Sequence, residues 1–481
     1  MSFKMSLFKL YKTPMLLVLT SLLFYWSFAY DLTRVDYIKL LSLYTALFFL
    51  FYKIIQLYKH NLKLLTWIAF SFRAVFVLAI PNLSQDFYRF IWDGRMILEG
   101  FNPYLFTPDF FLSNGEFPIA QAQELYDGMG SLSAGHYTNY PPLNQLCFFI
   151  ASLFAGKSIL GSAFVLRLII IAADFGTLHF GRKLLEQLKL PAHNIFWYIL
   201  NPFIIIELTG NLHFEGVMIF FLVWSLYLLH AGKWKLAAVI FACSVSIKLI
   251  PLIFLPLFWQ WFTKGNVIMS KPKQSTSFKE IATSLTPHND IIKLIGFYAI
   301  VGITTILLFL PFYSSQFITN YAETVGLWFQ NFEFNASLYY IVRGIGFLFR
   351  GYNEIAVIGT STAIIVFMFV LGIAFFRKNT TTIQLISAML FALSFYFFSA
   401  TTVHPWYVAT LLLLSVFTKY KFPLVWSFVI ILSYLAYINN DASENLWVIA
   451  LEYAVVYSVF VYEAWLKPIN SNLDIKTGSQ P

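Results

Sequence analysis

Ser84-Gln85-Asp86-Phe87-Tyr88-Arg89-Phe90-Ile91-Trp92-Asp93-Gly94-Arg95 runs on through Glu99-Gly100-Phe101-Asn102-Pro103-Tyr104, directly after an apolar run of membrane length. So many charges and aromatics in one short stretch of an otherwise apolar chain exceed what packing requires. The Ser-Gln lead-in suits a helix start, and helical turns bring Asp86, Arg89 and Asp93 towards one side. The expectation is a polar helix at a membrane surface that carries chemistry.

Outward from this stretch, the chain is 59% hydrophobic and 11% charged, against about 25% charged in soluble domains. Windows approaching the roughly 20 apolar residues needed to cross a bilayer recur from end to end. The reading is an all-α polytopic membrane protein: one integral-membrane domain over 1–469 and a polar tail, 470–481, expected to be disordered. The net charge of +9 comes mainly from Lys and Arg in short connectors, where they set orientation, so no nucleic-acid partner is expected. Cys147 and Cys243 lie in apolar runs without metal-ligand spacing, which argues against disulfide and zinc roles. Lys4, Lys9 and Lys12 precede the first apolar run without a convincing small-residue cleavage site, so an uncleaved first span is expected.

Spans near 14–30, 37–57 and 64–80, with Lys53, Lys59 and Lys63 on the side of the N-terminus, put the N-terminus in the cytoplasm and Asp86 outside. The polar segment 82–142 is then an outer loop, of a length that is usually functional or disordered. The run 143–155 is too short to cross comfortably and is expected to dip into the outer leaflet; further spans are expected near 193–209 and 214–230. Lys248 and Pro251 break the long run 236–262 into two short spans meeting at Lys248 on the outer side. A cytoplasmic loop over 264–290, with Lys271, Lys273 and Lys279, leads to a span and a second outer segment, 312–354. An acidic turn, Asn440-Asp441-Glu444, is also placed outside. The sum is about fourteen spans, both termini cytoplasmic. The sequence shows no strong inverted repeat, which weakens a transporter reading.

Under this topology the unusual polar residues share the outer side, where polar groups near membrane depth are costly unless paired or functional. Asp86 can take the proton of an attacking hydroxyl, or serve as a helix cap or salt-bridge partner of Arg89. Asp93 is the second candidate acid, although an Asp-Gly pair also ends helical turns. Lys248, Arg343 or Arg89 can stabilise charge developing on a phosphate leaving group, with Tyr88 and Tyr140 as further substrate contacts. In Asn211-Leu212-His213-Phe214-Glu215 the spacing of His213 and Glu215 does not put both on one helix face, so a metal site is not expected. Contact with sugar hydroxyls or phosphate stands beside a capping role. His404-Pro405-Trp406-Tyr407 opens a helix, its His a candidate phosphate contact and its aromatics equally an interfacial belt. Arg73 and Arg167 interrupt apolar spans, and Asp174, seven residues after Arg167, suggests a structural pair there. Asn335-Ala336-Ser337 matches a glycosylation acceptor, a triplet common by chance. The set suits transfer from a lipid-phosphate-linked donor.

Asp86 to Arg95 with Gly100-Phe101-Asn102-Pro103-Tyr104 resembles the first outer loop of bacterial polyprenyl-phosphate-mannose-dependent mannosyltransferases of the GT-C superfamily. Tyr140-Pro141-Pro142-Leu143, Asn201-Pro202 with Glu207, Gly210-Asn211-Leu212-His213, Lys248-Leu249-Ile250-Pro251 and His404-Pro405-Trp406-Tyr407 resemble later landmarks in the same order. The resemblance implies a GT-C-like bundle with outer-face loop helices in the plasma membrane. It implies inverting transfer of a hexose, mannose foremost, from a polyprenyl-phosphate donor to a glycan or lipid acceptor, with Asp86 as base and neither metal nor other cofactor. One departure is His213-Phe214-Glu215, where related chains often carry a small residue and Asp. The competing readings are a lipid or polysaccharide transporter and a ligase or polymerase of lipid-linked oligosaccharide.

Overall fold

The computed structural model describes residues 2–265, 287–330, 332–438 and 443–466. The expected basic loop with Lys271, Lys273 and Lys279, the tail from 470, and Asn440 and Asp441 of the acidic turn lie outside the described residues. The chain is an all-helical polytopic membrane protein. Among the described residues seven helices are long and apolar enough to cross a membrane, among them Lys12–Tyr30, Tyr37–Tyr58, Ile159–Gln187, Asp290–Phe312 and Ile355–Phe376. A bent pair, Pro202–Gly210 with Glu215–His230, and four shorter apolar helices accompany them.

The first third sets the frame. Helices α1 (Ser2–Tyr30), α2 (Tyr37–Tyr58) and α3 (Leu62–Val75) lead into the polar helix α4 (Asp86–Leu98). The loop beyond it carries two short helices, α5 (Pro108–Ser113) and α6 (Ala122–Ala134), before α7 (Pro142–Ala155) and the long α8 (Ile159–Gln187). With 14 residues, α7 is about 21 Å long, well short of a hydrocarbon core of about 30 Å. It crosses α4 closely: a Cβ on Gly94 would stand 2.2 Å from the Phe148 carbonyl oxygen, so only glycine permits this approach. Phe90 stacks on Phe148 with centroids 4.6 Å apart.

Two places depart from a regular run of spans. The stretch expected as a span near 193–209 is instead a series of short turns ending in a π-helical turn, Ile205–Gly210, whereas the span expected near 214–230 is a helix. The helix Glu215–His230 then leaves at 115° to Pro202–Gly210. Asn211 to Phe214 make the bend, where Leu212 has a φ of +64°. The second break is at Lys248, whose extended backbone ends the helix Trp234–Ile247 before a 3-10 turn over Ile250–Leu257, where the expected lysine break falls.

The buried charges of the spans are arranged differently from the pairing suggested by spacing. Asp174 is held by Arg73, Nε to Oδ2 at 2.7 Å, both side chains wholly buried. Arg167, seven residues from Asp174 and so about 10 Å along the same helix, instead donates to the carbonyls of Thr209 and Gly210 at 2.8 and 3.0 Å. It thereby satisfies carbonyls that the π turn leaves unpaired within the helix.

The two long polar segments meet at one end of the bundle. Asn102 donates to the Phe312 carbonyl at 3.0 Å and Asn320 to the Tyr104 carbonyl at 3.0 Å. Tyr104, itself buried, donates to the Tyr140 carbonyl at 2.6 Å. The Asn102-Pro103-Tyr104 landmark is therefore a structural tie.

Candidate active site

At that end lies a cavity of about 1630 Å³. Its walls come from α4, the loop before α7, the Glu215 helix start, the Lys248 break, the second polar segment and the His404 turn.

Asp86 is the first residue of α4. Its side chain keeps 36% of its surface open to the cavity. Burial by the surrounding protein raises its pKa to about 6; Lys248 opposes the shift and Glu215 adds to it. The opposing and assisting charges both come from the Lys248–Glu215 pair, Nζ to Oε1 at 2.9 Å. Lys248 also lies 5.5 Å over the Tyr140 ring, a cation-π contact. Asp86, Tyr140, Glu215 and Lys248 thus share one wall, although they are far apart in sequence.

One turn further along α4, Arg89 also reaches the cavity, but its guanidinium is committed. It pairs with Asp93 at 2.8 Å and donates to the Ser133 and His136 carbonyls at 2.6 and 2.9 Å. Asp93 is fully buried, accepts a further bond from Gln145 at 2.9 Å, and is absent from the cavity lining. The structure therefore does not bring Asp93 to the cavity with Asp86. Tyr88 is likewise absent from the lining; its ring packs on Phe87 at 4.1 Å and fills the space beside Gly128.

Asn211 and His213 stand behind the wall. Asn211 is buried and accepts from the Leu83 amide at 3.3 Å while donating to Glu207 at 3.4 Å. His213, 1% exposed, lies between two carboxylates: Nδ1 is 4.0 Å from Asp86 Oδ2 and Nε2 is 3.9 Å from Glu207 Oε2. Its ring stacks on Trp406 at 3.6 Å, and Trp406 in turn on His404 at 4.6 Å. His404 and Trp406 line the cavity. Among the described residues no three His, Cys, Asp or Glu side chains gather closely enough to hold a metal ion.

The far wall comes from the second polar segment. Arg343 reaches the cavity but pairs with Glu333, whose carboxylate also accepts from Tyr339 at 2.5 Å and Asn353 at 3.3 Å. Glu444 accepts from the Asn335 amide at 2.6 Å and from Tyr340. Phe334 forms a short parallel bridge to Thr402, its amide donating to the Thr401 carbonyl at 3.1 Å and its carbonyl accepting from Val403 at 2.8 Å. This bridge fixes the chain just ahead of His404. Asn335 itself is wholly buried, so in the folded chain the Asn335-Ala336-Ser337 triplet does not present a glycosylation acceptor.

Sequence reasoning missed Arg34, Tyr434 and Tyr437, all on the lining. Arg34 lies 4.2 Å over the Tyr437 ring, and Tyr434 donates to Glu207 at 2.9 Å. Arg34 sits in a short connector and the tyrosines in an apolar run, so none carried a local signal. The lining also has an apolar arm, in which Leu252 and Phe367 are 40% and 57% exposed.

Fold and cavity together define an all-helical polytopic membrane protein with a carboxylate cavity at one end, flanked by charge pairs on its polar walls and by an apolar arm. Residues 18–263 match the family described as alpha-(1->6)-mannopyranosyltransferase, N-terminal domain, and the chain belongs to that family. It is also similar to alpha-(1->6)-mannopyranosyltransferase A of Mycobacterium tuberculosis, with 22% identity over 190 residues, 39% of this chain and 35% of the relative. The match thus spans about a third of that relative's length. Asp86, Tyr140, Glu215 and Lys248 fall within the family match; Arg343 and His404 lie beyond it.

Proposed function

We propose that this protein transfers mannose from a polyprenyl-phosphate donor to an acceptor hydroxyl at the outer face of the plasma membrane, with inversion at the sugar carbon. The observation that carries the reading is the Asp86 carboxylate, partly exposed in the cavity beside the Lys248–Glu215 pair. The family to which the chain belongs supports mannosyl transfer, and the apolar arm bordered by Leu252 and Phe367 suits a lipid-linked donor.

In this reading Asp86 accepts the acceptor's hydroxyl proton as that oxygen forms a bond to C1 of the sugar. The bond from C1 to the phosphate oxygen breaks on the opposite face, and polyprenyl phosphate departs with the electron pair. Lys248 counters the charge gained by the phosphate. Arg89 and Asp93 act from below by fixing α4 against the Ser133 and His136 carbonyls. Arg343 orders the far wall, where the acceptor, a glycan or lipid, is bound. The test is consumption of labelled polyprenyl-phosphate mannose by membranes containing the full chain, with Asp86→Asn as comparison. Transfer by Asp86→Asn at the unmodified rate would remove the base assignment, and consumption of a different labelled donor would replace mannose.

A further inference from the structure

We infer that His213 is a positioning residue for Asp86, holding the carboxylate ionised and aimed into the cavity through Nδ1 while Glu207 and Tyr434 anchor the imidazole from behind. This rests on the reading of Asp86 as base.

Three independent features of the chain converge on this imidazole. First, it is buried between two carboxylates, 4.0 Å from Asp86 and 3.9 Å from Glu207, and its Nε2 has no hydrogen-bond partner. A buried ring nitrogen left unpaired is costly, and both gaps close to hydrogen-bond length with movements of about 1 Å. Second, Leu212 adopts a φ of +64° while wholly buried. A non-glycine residue in that region is strained and persists where the surroundings demand it; here it sets the backbone from which His213 projects. Third, Glu207 lies on a π-helical turn, a rare device that shifts a side chain out of helical register. Both of its oxygens accept from Tyr434, at 2.9 and 3.0 Å. Stacking on Trp406 at 3.6 Å fixes the plane of the ring.

A neutral imidazole carries one N–H. With the proton on Nδ1 it faces Asp86 and favours the ionised carboxylate, the form that accepts the hydroxyl proton; Nε2 is then an acceptor, which Glu207 meets in its protonated form while still accepting from Tyr434. The charged groups facing Asp86 from other elements are Lys248 and Glu215; its tyrosine neighbours are Tyr140, Tyr407 and Tyr437. His213 is faced by Lys248 and His404 besides the two carboxylates. Lys248 also favours ionised Asp86, so the contribution of His213 is read as a difference in the acid limb of the rate, with Lys248 unchanged.

The test uses two replacements that keep one half of the imidazole each, in the full chain, assayed with labelled polyprenyl-phosphate mannose. His213→Asn keeps an amide nitrogen near Nδ1; His213→Gln extends towards Glu207 and removes the donor to Asp86. His213→Asn is expected to keep the acid limb of kcat where the unmodified protein has it. His213→Gln is expected to lose about tenfold in kcat with little change in KM for the donor, and to move the acid limb to higher pH. Combining His213→Gln with Glu207→Leu, which removes the partner of Nε2, is expected to cost less than the product of the two single losses. The inference is overturned if both replacements leave the acid limb in place, or if both lose rate only in proportion to folded protein measured by thermal unfolding. Loss of activity in Asp86→Asn with those outcomes would sink this inference alone, whereas full activity in Asp86→Asn would overturn it together with the base reading.

Discussion

Asp86 combines partial exposure with a pKa raised to about 6 by burial, and the two together give it a pH signature. The base form is populated only above that value, so the rate is expected to rise through about pH 6 and level off, and this limb is expected to vanish with the activity in Asp86→Asn, a loss of about 10²-fold or more. The stability linkage has the opposite direction. A carboxyl raised on folding favours the protonated native state, so its contribution is present below the unfolded value of 3.8 and is lost as pH rises through about 6. Arg73 and Asp174 serve stability alone: Arg73→Ala leaves a buried carboxylate without its partner and is expected to cost about 3–5 kcal/mol, read as a lower thermal midpoint in detergent. The place of Asp86 on a polar wall was legible in the sequence because it falls directly after a membrane-length run, at the head of a charged helix. The partner of Asp174 was not, because Arg73 is distant in sequence while Arg167 is near; spacing along one helix favoured the wrong arginine. Arg89 was read from the sequence as a possible partner of Asp86; the structure pairs it with Asp93, four residues on, which holds Asp93 off the cavity.

At the level of elements, the break at Lys248 followed from the cost of a lysine and a proline in an apolar run. The bend of 115° between Pro202–Gly210 and Glu215–His230 did not follow, because a π turn and a left-handed Leu212 are held by tertiary partners such as Arg167, which no local window contains. The crossing of α4 over α7 offers a direct check. Gly94→Ala puts a methyl group 2.2 Å from a backbone oxygen, and such overpacking is expected to cost about 1–3 kcal/mol. Because α4 carries Asp86, the displacement is expected to lower kcat as well as the thermal midpoint. Gly100→Ala controls for general glycine effects: a Cβ there meets nothing within 4 Å, although its φ of +84° adds backbone strain.

For the molecule as a whole, the far wall of the cavity depends on a latch that spans the chain. Glu452, buried in the last long helix, accepts from Asn335 at 3.2 Å and Trp426 at 3.1 Å, and Tyr453 donates to the Asn335 carbonyl at 2.8 Å. Glu452→Leu leaves two buried donors unsatisfied, each costing about 1–3 kcal/mol. It is expected to lower the thermal midpoint and expose the 332–337 segment to limited proteolysis. Because this wall is where the acceptor is proposed to bind, acceptor KM is expected to rise with it. Nothing in the sequence announced this latch, since an acceptor-like Asn-Ala-Ser triplet reads as a surface feature and its partner lies more than a hundred residues away. The apolar arm at Leu252 and Phe367 carries a different consequence. A lipid-linked substrate entering there is met in two dimensions, so the working concentration is its mole fraction among surrounding amphiphiles. Reaction rates at fixed bulk donor should then fall as detergent is added and its micelles dilute the donor across more surface.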